Sequence, residues 1–168
     1  MKAGDDGWSL FGPDGAWPCA IGRGGLRRDK REGDGATPIG RWPLRRLLYR
    51  PDRETPPNTR LPSGPLAPNL GWCDDPEDAL YNQPVKLPHP GRHEVLWRKD
   101  ALYDLLVVLG YNDSPPLSGA GSAIFLHVAT ADYRPTEGCV ALSKPHLRRF
   151  LQVADSSDSL VIESLEPD

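Results

Sequence analysis

A mainly β fold, made of short strands joined by long Pro-rich loops with a few short helices, is what this sequence predicts. Three observations carry the prediction. First, the chain holds 17 glycines and 19 prolines in 168 residues, and these residues punctuate turns and interrupt helices. Second, its longest apolar runs are strand-sized and bounded by turn residues. Third, helical spacing of apolar residues is clear only near the C-terminus, where Leu147, Phe150 and Leu151 fall at i, i+3 and i+4.

In chain order, residues 8–21 are short apolar pieces cut by Gly and Pro, the pattern of an opening hairpin. Gly22-Arg23-Gly24-Gly25 is read as tight turns, because no phosphate-loop Lys-Ser/Thr follows. Gly33-Asp34-Gly35-Ala36-Thr37-Pro38-Ile39-Gly40 is a turn-rich loop. Residues 51–92 carry ten prolines and read as a binding wall or a meander of very short strands. Residues 102–109 are almost continuously apolar and end at Gly110, which predicts a buried central strand. Residues 122–129 form another strand. Ser143 is placed to cap a helix with Pro145 in its first turn. A last strand is expected over residues 159–164, and a frayed tail over 166–168. One domain over residues 1–168, with its core at about 8–163, accounts for the length.

Composition excludes several function classes. Twenty basic and 23 acidic side chains give a net charge of −3, without the basic excess of a nucleic-acid binder. The basic clusters Arg27, Arg28, Lys30, Arg31 and Arg41, Arg45, Arg46 read as solvated faces. No stretch is long and apolar enough for a membrane span. The polar start, residues 1–7, shows no apolar h-region and hence no visible signal peptide. Cys19, Cys73 and Cys139 contain no Cys-x-x-Cys pair, so no structural zinc site is expected. Cys19 reads as a buried small residue, with a Cys19–Cys73 bridge as the less favoured alternative.

The chemistry concentrates in Gly121-Ser122-Ala123-Ile124-Phe125-Leu126-His127, eleven further residues, and then Cys139. With a period of two, Ile124, Leu126 and Val128 share one strand face, and His127 points the other way with Ala123 and Phe125. The intervening loop is long enough to fold Cys139 back beside His127. A thiol near pKa 8.5 is mostly protonated at neutral pH, so a neighbouring imidazole would generate the thiolate. Gly138 leaves the sulfur approachable, and backbone N–H groups around Gly138 and Cys139 are candidate oxyanion donors. The bland alternative is a strand histidine and a buried cysteine with no connection.

His127 followed by Thr136-Glu137-Gly138-Cys139-Val140 resembles the signature of L,D-transpeptidase catalytic domains of the YkuD type. Thr37-Pro38-Ile39-Gly40 looks like that family's Thr-Pro-x-Gly element. Tyr103-Asp104-Leu105, Gly110-Tyr111-Asn112, Gly121 to His127 and Gly138 to Ser143 resemble a short proteobacterial branch. The likeness covers roughly residues 15–162. It departs from the usual pattern at Val128, where a Gly commonly follows the His, and at Ala141, where Arg or Asn is common. The His-to-Cys spacing is also shorter than in many members.

The resemblance implies a β-sandwich or mixed sheet and a cysteine acyltransferase acting on peptidoglycan stem peptides. Cys139 is then the nucleophile and His127 its base. The group orienting His127 is often a backbone carbonyl in this family, with Asp132 and Tyr133 as side-chain candidates. Arg98, Tyr111, Asn112, Ser122 and Thr136 are the expected pocket wall. The implied crosslink joins two diaminopimelates or links L-Ala to diaminopimelate. No metal or organic cofactor is implied, and carbapenems are the expected covalent inhibitors. The substrate places the domain in the periplasm. The alternatives are an L,D-carboxypeptidase or amidase on the same peptides, a non-catalytic wall-binding domain, and a sortase-like enzyme. The last would need an Arg on a strand after the cysteine, whereas Arg148 and Arg149 fall in the predicted helix.

Overall fold

The computed structural model describes residues 2–4 and 7–164. The tail expected at residues 166–168 lies outside them. The described residues form fourteen strands and one helix, fewer helices than the sequence suggests. The first strands are β1 (Lys2–Gly4), β2 (Gly7–Gly12), β3 (Gly15–Ala20), β4 (Leu26–Arg27), β5 (Thr37–Pro38) and β6 (Gly40–Tyr49). The Pro-rich segment and its flank supply β7 (Ser63–Pro65), β8 (Leu70–Cys73), β9 (Pro84–Lys86) and β10 (His93–Val95). The remainder is β11 (Leu105–Leu109), β12 (Phe125–Val128), β13 (Val140–Leu142), α1 (Lys144–Val153) and β14 (Ser159–Ile162).

The main sheet is mixed, in the order β1-β2-β3-β13-β12-β11-β6-β14, with β7 beside β6. The pairs around the centre are antiparallel except β12 with β13, which run parallel. β2 and β3 form the predicted opening hairpin, paired from Gly12 and Gly15 outward. Residues 51–92 adopt the meander alternative, with β7 parallel to β6 and with β8 and β9 joining β10 in a separate three-stranded sheet, β10-β8-β9.

All five residues of β11 are buried, because the sheet is covered on both faces. On one face Leu105, Val107, Leu109, Leu126, Val128, Val140 and Leu142 pack with Trp17, Leu147, Leu151, Leu160 and Ile162. The helix presents Leu147 and Leu151 to that layer. It starts at Ser143, whose hydroxyl accepts the His146 N–H. On the other face Leu106, Val108, Phe125 and Cys139 pack with Leu48, Leu66, Trp72, Leu96 and Tyr103. The Pro-rich lobe therefore roofs the face that carries Cys139.

A buried charge network ties this lobe to the helix. Asp104 and Glu54 are nearly inaccessible. Lys144 Nζ lies 2.7 Å from both carboxylates, Arg53 Nη1 is 3.0 Å from Asp104, and Arg148 closes on Glu54. Removing one member of such a network strands the others. Asp104→Ala is expected to lower unfolding free energy by about 2–3 kcal/mol, the loss tempered by the partial exposure of Lys144. Chemical denaturation checks this, and an unchanged midpoint would refute the network's role.

Candidate active site

Parallel pairing of β12 with β13 aligns Leu126 with Val140 and His127 with Ala141. Cys139, one residue before β13, thus falls opposite Phe125, whose N–H reaches the Cys139 sulfur at 3.4 Å. His127 lies two residues further along the same strand face. Strand geometry then separates the two α-carbons by about 8 Å, within reach of two side chains turned toward each other. The connecting loop does fold back. Thr136 N–H donates to Ile21 O and Arg23 N–H to Thr136 O, each at 2.8 Å.

Gly138 sits at φ +135°, and a Cβ there would lie 2.8 Å from Ala36 O. The Thr37 hydroxyl donates to Gly138 O and accepts the Gly22 N–H, both at 2.8 Å. Thr37 is completely buried, so the early Thr-Pro element anchors the loop carrying the cysteine. The Thr136 hydroxyl accepts the Gly138 N–H and donates to Cys139 O at 2.6 Å. The Gly138 N–H is therefore engaged by Thr136 and is not an oxyanion donor in this arrangement.

His127 Nδ1 is 2.8 Å from Val128 O. A carbonyl only accepts, so Nδ1 carries the hydrogen and Nε2 keeps its lone pair. The orienting group is thus the carbonyl of the very next residue. Asp132 instead pairs with Arg134 at the surface, and Tyr133 lines a separate groove beside Cys19 and Arg23. Burial pushes the His127 pKa down to about 4, against the pull of the Val128 carbonyl. Burial, aided by the charge of Glu94, pushes the Cys139 thiol up to about 12. Both shifts favour the neutral forms, thiol and imidazole, over a thiolate–imidazolium ion pair.

These shifts fix a stability profile. The folded state resists protonating His127, whereas the unfolded chain takes the proton near the ordinary value of 6.5. Stability is therefore expected to fall as pH drops from 6.5 toward 4, by up to about 3 kcal/mol. Above pH 9 it falls again, because the unfolded Cys139 thiol ionises first. Thermal midpoints measured against pH check the acid limb. His127→Gln should flatten it, and an equal slope in that variant would exclude His127 as its source.

Cys139 and His127 open into a cleft of about 370 Å³, also lined by Glu32, Glu94, Arg98, Tyr103, Ser122 and Thr136. Of the wall residues expected from sequence, Arg98, Ser122 and Thr136 are there. Tyr111 and Asn112 are not among its lining residues. Tyr111 packs its ring edge-on to Trp42 and donates its hydroxyl to Ala120 O. Asn112, at φ +48°, ties the following turn by bonds to Leu117 and Gly121. Both are turn-building residues, which explains why polar side chains sit there.

Four residues near the site were not assigned to it from the sequence, and one of them, Lys30, is buried rather than part of a solvated face. Tyr103 stacks edge-on to His127, with ring centroids 5.2 Å apart, and donates to Glu94 Oε1 at 2.5 Å. Burial raises the Glu94 pKa despite that bond. Glu32 accepts hydroxyl bonds from Tyr81 and Ser122. Lys30, almost fully buried, pairs with Asp34 at 2.8 Å behind the Gly138 loop. A charged residue in a Pro-rich or Gly-rich loop gives no sequence signal of burial, because only the roofing lobe buries it.

The family model of the YkuD L,D-transpeptidase catalytic domain matches residues 8–162. The chain belongs to the L,D-transpeptidase catalytic-domain family. No curated protein and no solved structure matches the chain. The mainly β architecture agrees with the sandwich of this family, whose members act on peptidoglycan peptides. As an L,D-transpeptidase-family domain, the chain places Arg148 and Arg149 in α1, away from any strand after the cysteine, which disfavours the sortase-like alternative. Among the described residues, no helix is long and apolar enough to cross a membrane.

Proposed function

We propose that this domain is a peptidoglycan L,D-transpeptidase that uses Cys139 as nucleophile and His127 as general base. The observation supporting this most directly is the locked imidazole: Nδ1–H is held by Val128 O, in the cleft shared with Cys139. His127 Nε2 takes the thiol proton as sulfur attacks an L-centred carbonyl of a stem peptide. The tetrahedral intermediate expels the following residue's amine, which recovers the proton from His127, and a thioester remains. A diaminopimelate amine of a second stem then attacks the thioester and gives its proton to His127. Collapse forms the crosslink, and the departing Cys139 sulfur takes that proton back. With the Gly138 N–H engaged by Thr136, the Cys139 N–H is assigned to the oxyanion.

The charge of the cleft supports a diaminopimelate-bearing substrate. Glu32, Asp74, Glu94 and Glu137 line it together with Arg98 and Arg134, which suits a side chain ending in both an ammonium and a carboxylate. Such a substrate places the working domain outside the cytoplasmic membrane, in the periplasm. Carbapenem acylation of Cys139 follows from the same nucleophile.

The test is incubation of wild-type protein with purified diaminopimelate-type sacculi, followed by muropeptide mapping. New crosslinked dimers are expected, and fragmentation identifies the donor as L-Ala or diaminopimelate. Shortened stems without dimers would convert the reading to a carboxypeptidase. No change at all would leave a wall-binding domain.

A further inference from the structure

A second cluster of chemically able side chains lies outside the cleft, in the three-stranded sheet of the Pro-rich lobe. Cys73 ends β8, Asp78 sits in the turn that follows, and His89 lies between β9 and β10. One donor atom from each falls within 4.8 Å of the others. Cys73 is wholly buried, and the side chains of Asp78 and His89 are 19% and 11% exposed. Asp78 Oδ2 and His89 Nε2 are 2.9 Å apart.

We propose that Cys73 Sγ, Asp78 Oδ2 and His89 Nε2 form a zinc site, with solvent as the fourth ligand, that clips the lobe roofing the active-site face. One sulfur, one imidazole and one carboxylate are the ligands of a borderline-soft tetrahedral ion, not of calcium or magnesium, which require oxygen donors. Tetrahedral zinc at bond lengths of about 2.0–2.3 Å places its donors about 3.3–3.8 Å apart, so shifts of about 1 Å convert this arrangement into a site.

Independent features prepare the cluster for a cation. The Leu80 N–H holds Asp78 Oδ1 at 2.7 Å, leaving Oδ2 for the centre. Such outer contacts orient ligands in metal sites. Gly91 keeps the space open: a Cβ there would lie 2.5 Å from Asp78 Oδ2 and 3.1 Å from His89 Nε2. The backbone is braced too, by Cys73 N–H to Gln83 O and Asn82 N–H to Cys73 O, each 2.9 Å.

The location gives the clip a purpose. Trp72, adjacent to Cys73, stacks edge-on to Phe125 with centroids 5.1 Å apart and donates to Asn82 Oδ1 at 2.9 Å. Asn82 Oδ1 also accepts the Ala123 N–H, and Ala123 O accepts from Cys139. Asp74 lines the cleft itself. A bound ion would stiffen a segment that otherwise has only three-residue and four-residue strands.

Cobalt(II) titration of the metal-stripped full chain tests this, in a Cys139→Ala background that removes the thiol of the active-site cleft. One equivalent is expected to give a thiolate-to-cobalt charge-transfer band and tetrahedral visible bands, both erased by zinc. Zinc is expected to raise the thermal midpoint. His89→Gln and Asp78→Asn should each weaken binding at least tenfold and abolish that rise. Both leave the buried thiol in place, so they decide the matter even if Cys73→Ser fails to fold. Absence of the thiolate band, or equal affinity in His89→Gln and Asp78→Asn, would overturn the proposal.

Discussion

Replacing Cys139 by alanine is expected to abolish the crosslink formation and carbapenem labelling proposed for this domain while the fold survives. Removing the nucleophile of a unit that includes its base costs on the order of 10⁶ in rate. The structural cost is small by comparison. The sulfur accepts one long bond from the Phe125 N–H and donates to Ala123 O at 3.2 Å, so its loss leaves a weakly bonded donor unpaired, worth about 1 kcal/mol. For a chain of this size that lowers the thermal midpoint by about 2–4 °C. Cys139→Ser separates the two contributions, because a hydroxyl retains both polar contacts and lacks the thiol's acidity. Muropeptide yield and intact mass after carbapenem treatment are the measurements. Dimer formation by Cys139→Ala at the wild-type rate would remove the cysteine from the mechanism.

Gly138→Ala is expected to cut turnover by about 10²-fold and to destabilise the domain by about 2–3 kcal/mol. Two costs combine at this position. A φ of +135° is strained for any L side chain, and the new methyl would meet Ala36 O at 2.8 Å. Neither neighbour can give way. Ala36 is inaccessible, and Gly138 O is pinned by the Thr37 hydroxyl. The strain must therefore be released by moving the residue before the nucleophile, and misplacement by about 1 Å is costly in rate. Turnover on stem peptides and chemical denaturation of the variant check both parts. Wild-type turnover would show that the loop tolerates the movement.

Much of the fold, and the strand face that carries His127, was legible in the sequence because it depends on local pattern. The alternation through residues 123–128 separated His127 from the Leu126 face, and the structure packs those faces into different clusters. The Ser143 cap and Pro145 fixed where the helix starts. The continuous run at β11 signalled a strand covered on both sides. By contrast, Tyr111 and Asn112 are not among the residues lining the cleft. Polar residues next to Gly110 serve a turn or a ligand equally well, and only their partners distinguish the two uses.

By itself, then, the sequence determined the strand-rich class, the face on which His127 lies, and the motif that marks Cys139. Period-two alternation and steric limits on Gly and Pro act over a few residues and are written locally. Tertiary structure alone decided that the Val128 carbonyl fixes the imidazole tautomer, that Thr37 holds Gly138 from 101 residues away in sequence, and that Glu94 and Tyr103 flank the pair. It also brought Cys73, Asp78 and His89 together. These are side-chain orientations and distances that only the completed fold sets, and burial by the Pro-rich lobe shifts the pKa values of the groups they join. No local pattern encodes either quantity, because both depend on which distant surfaces the completed sheet brings into contact.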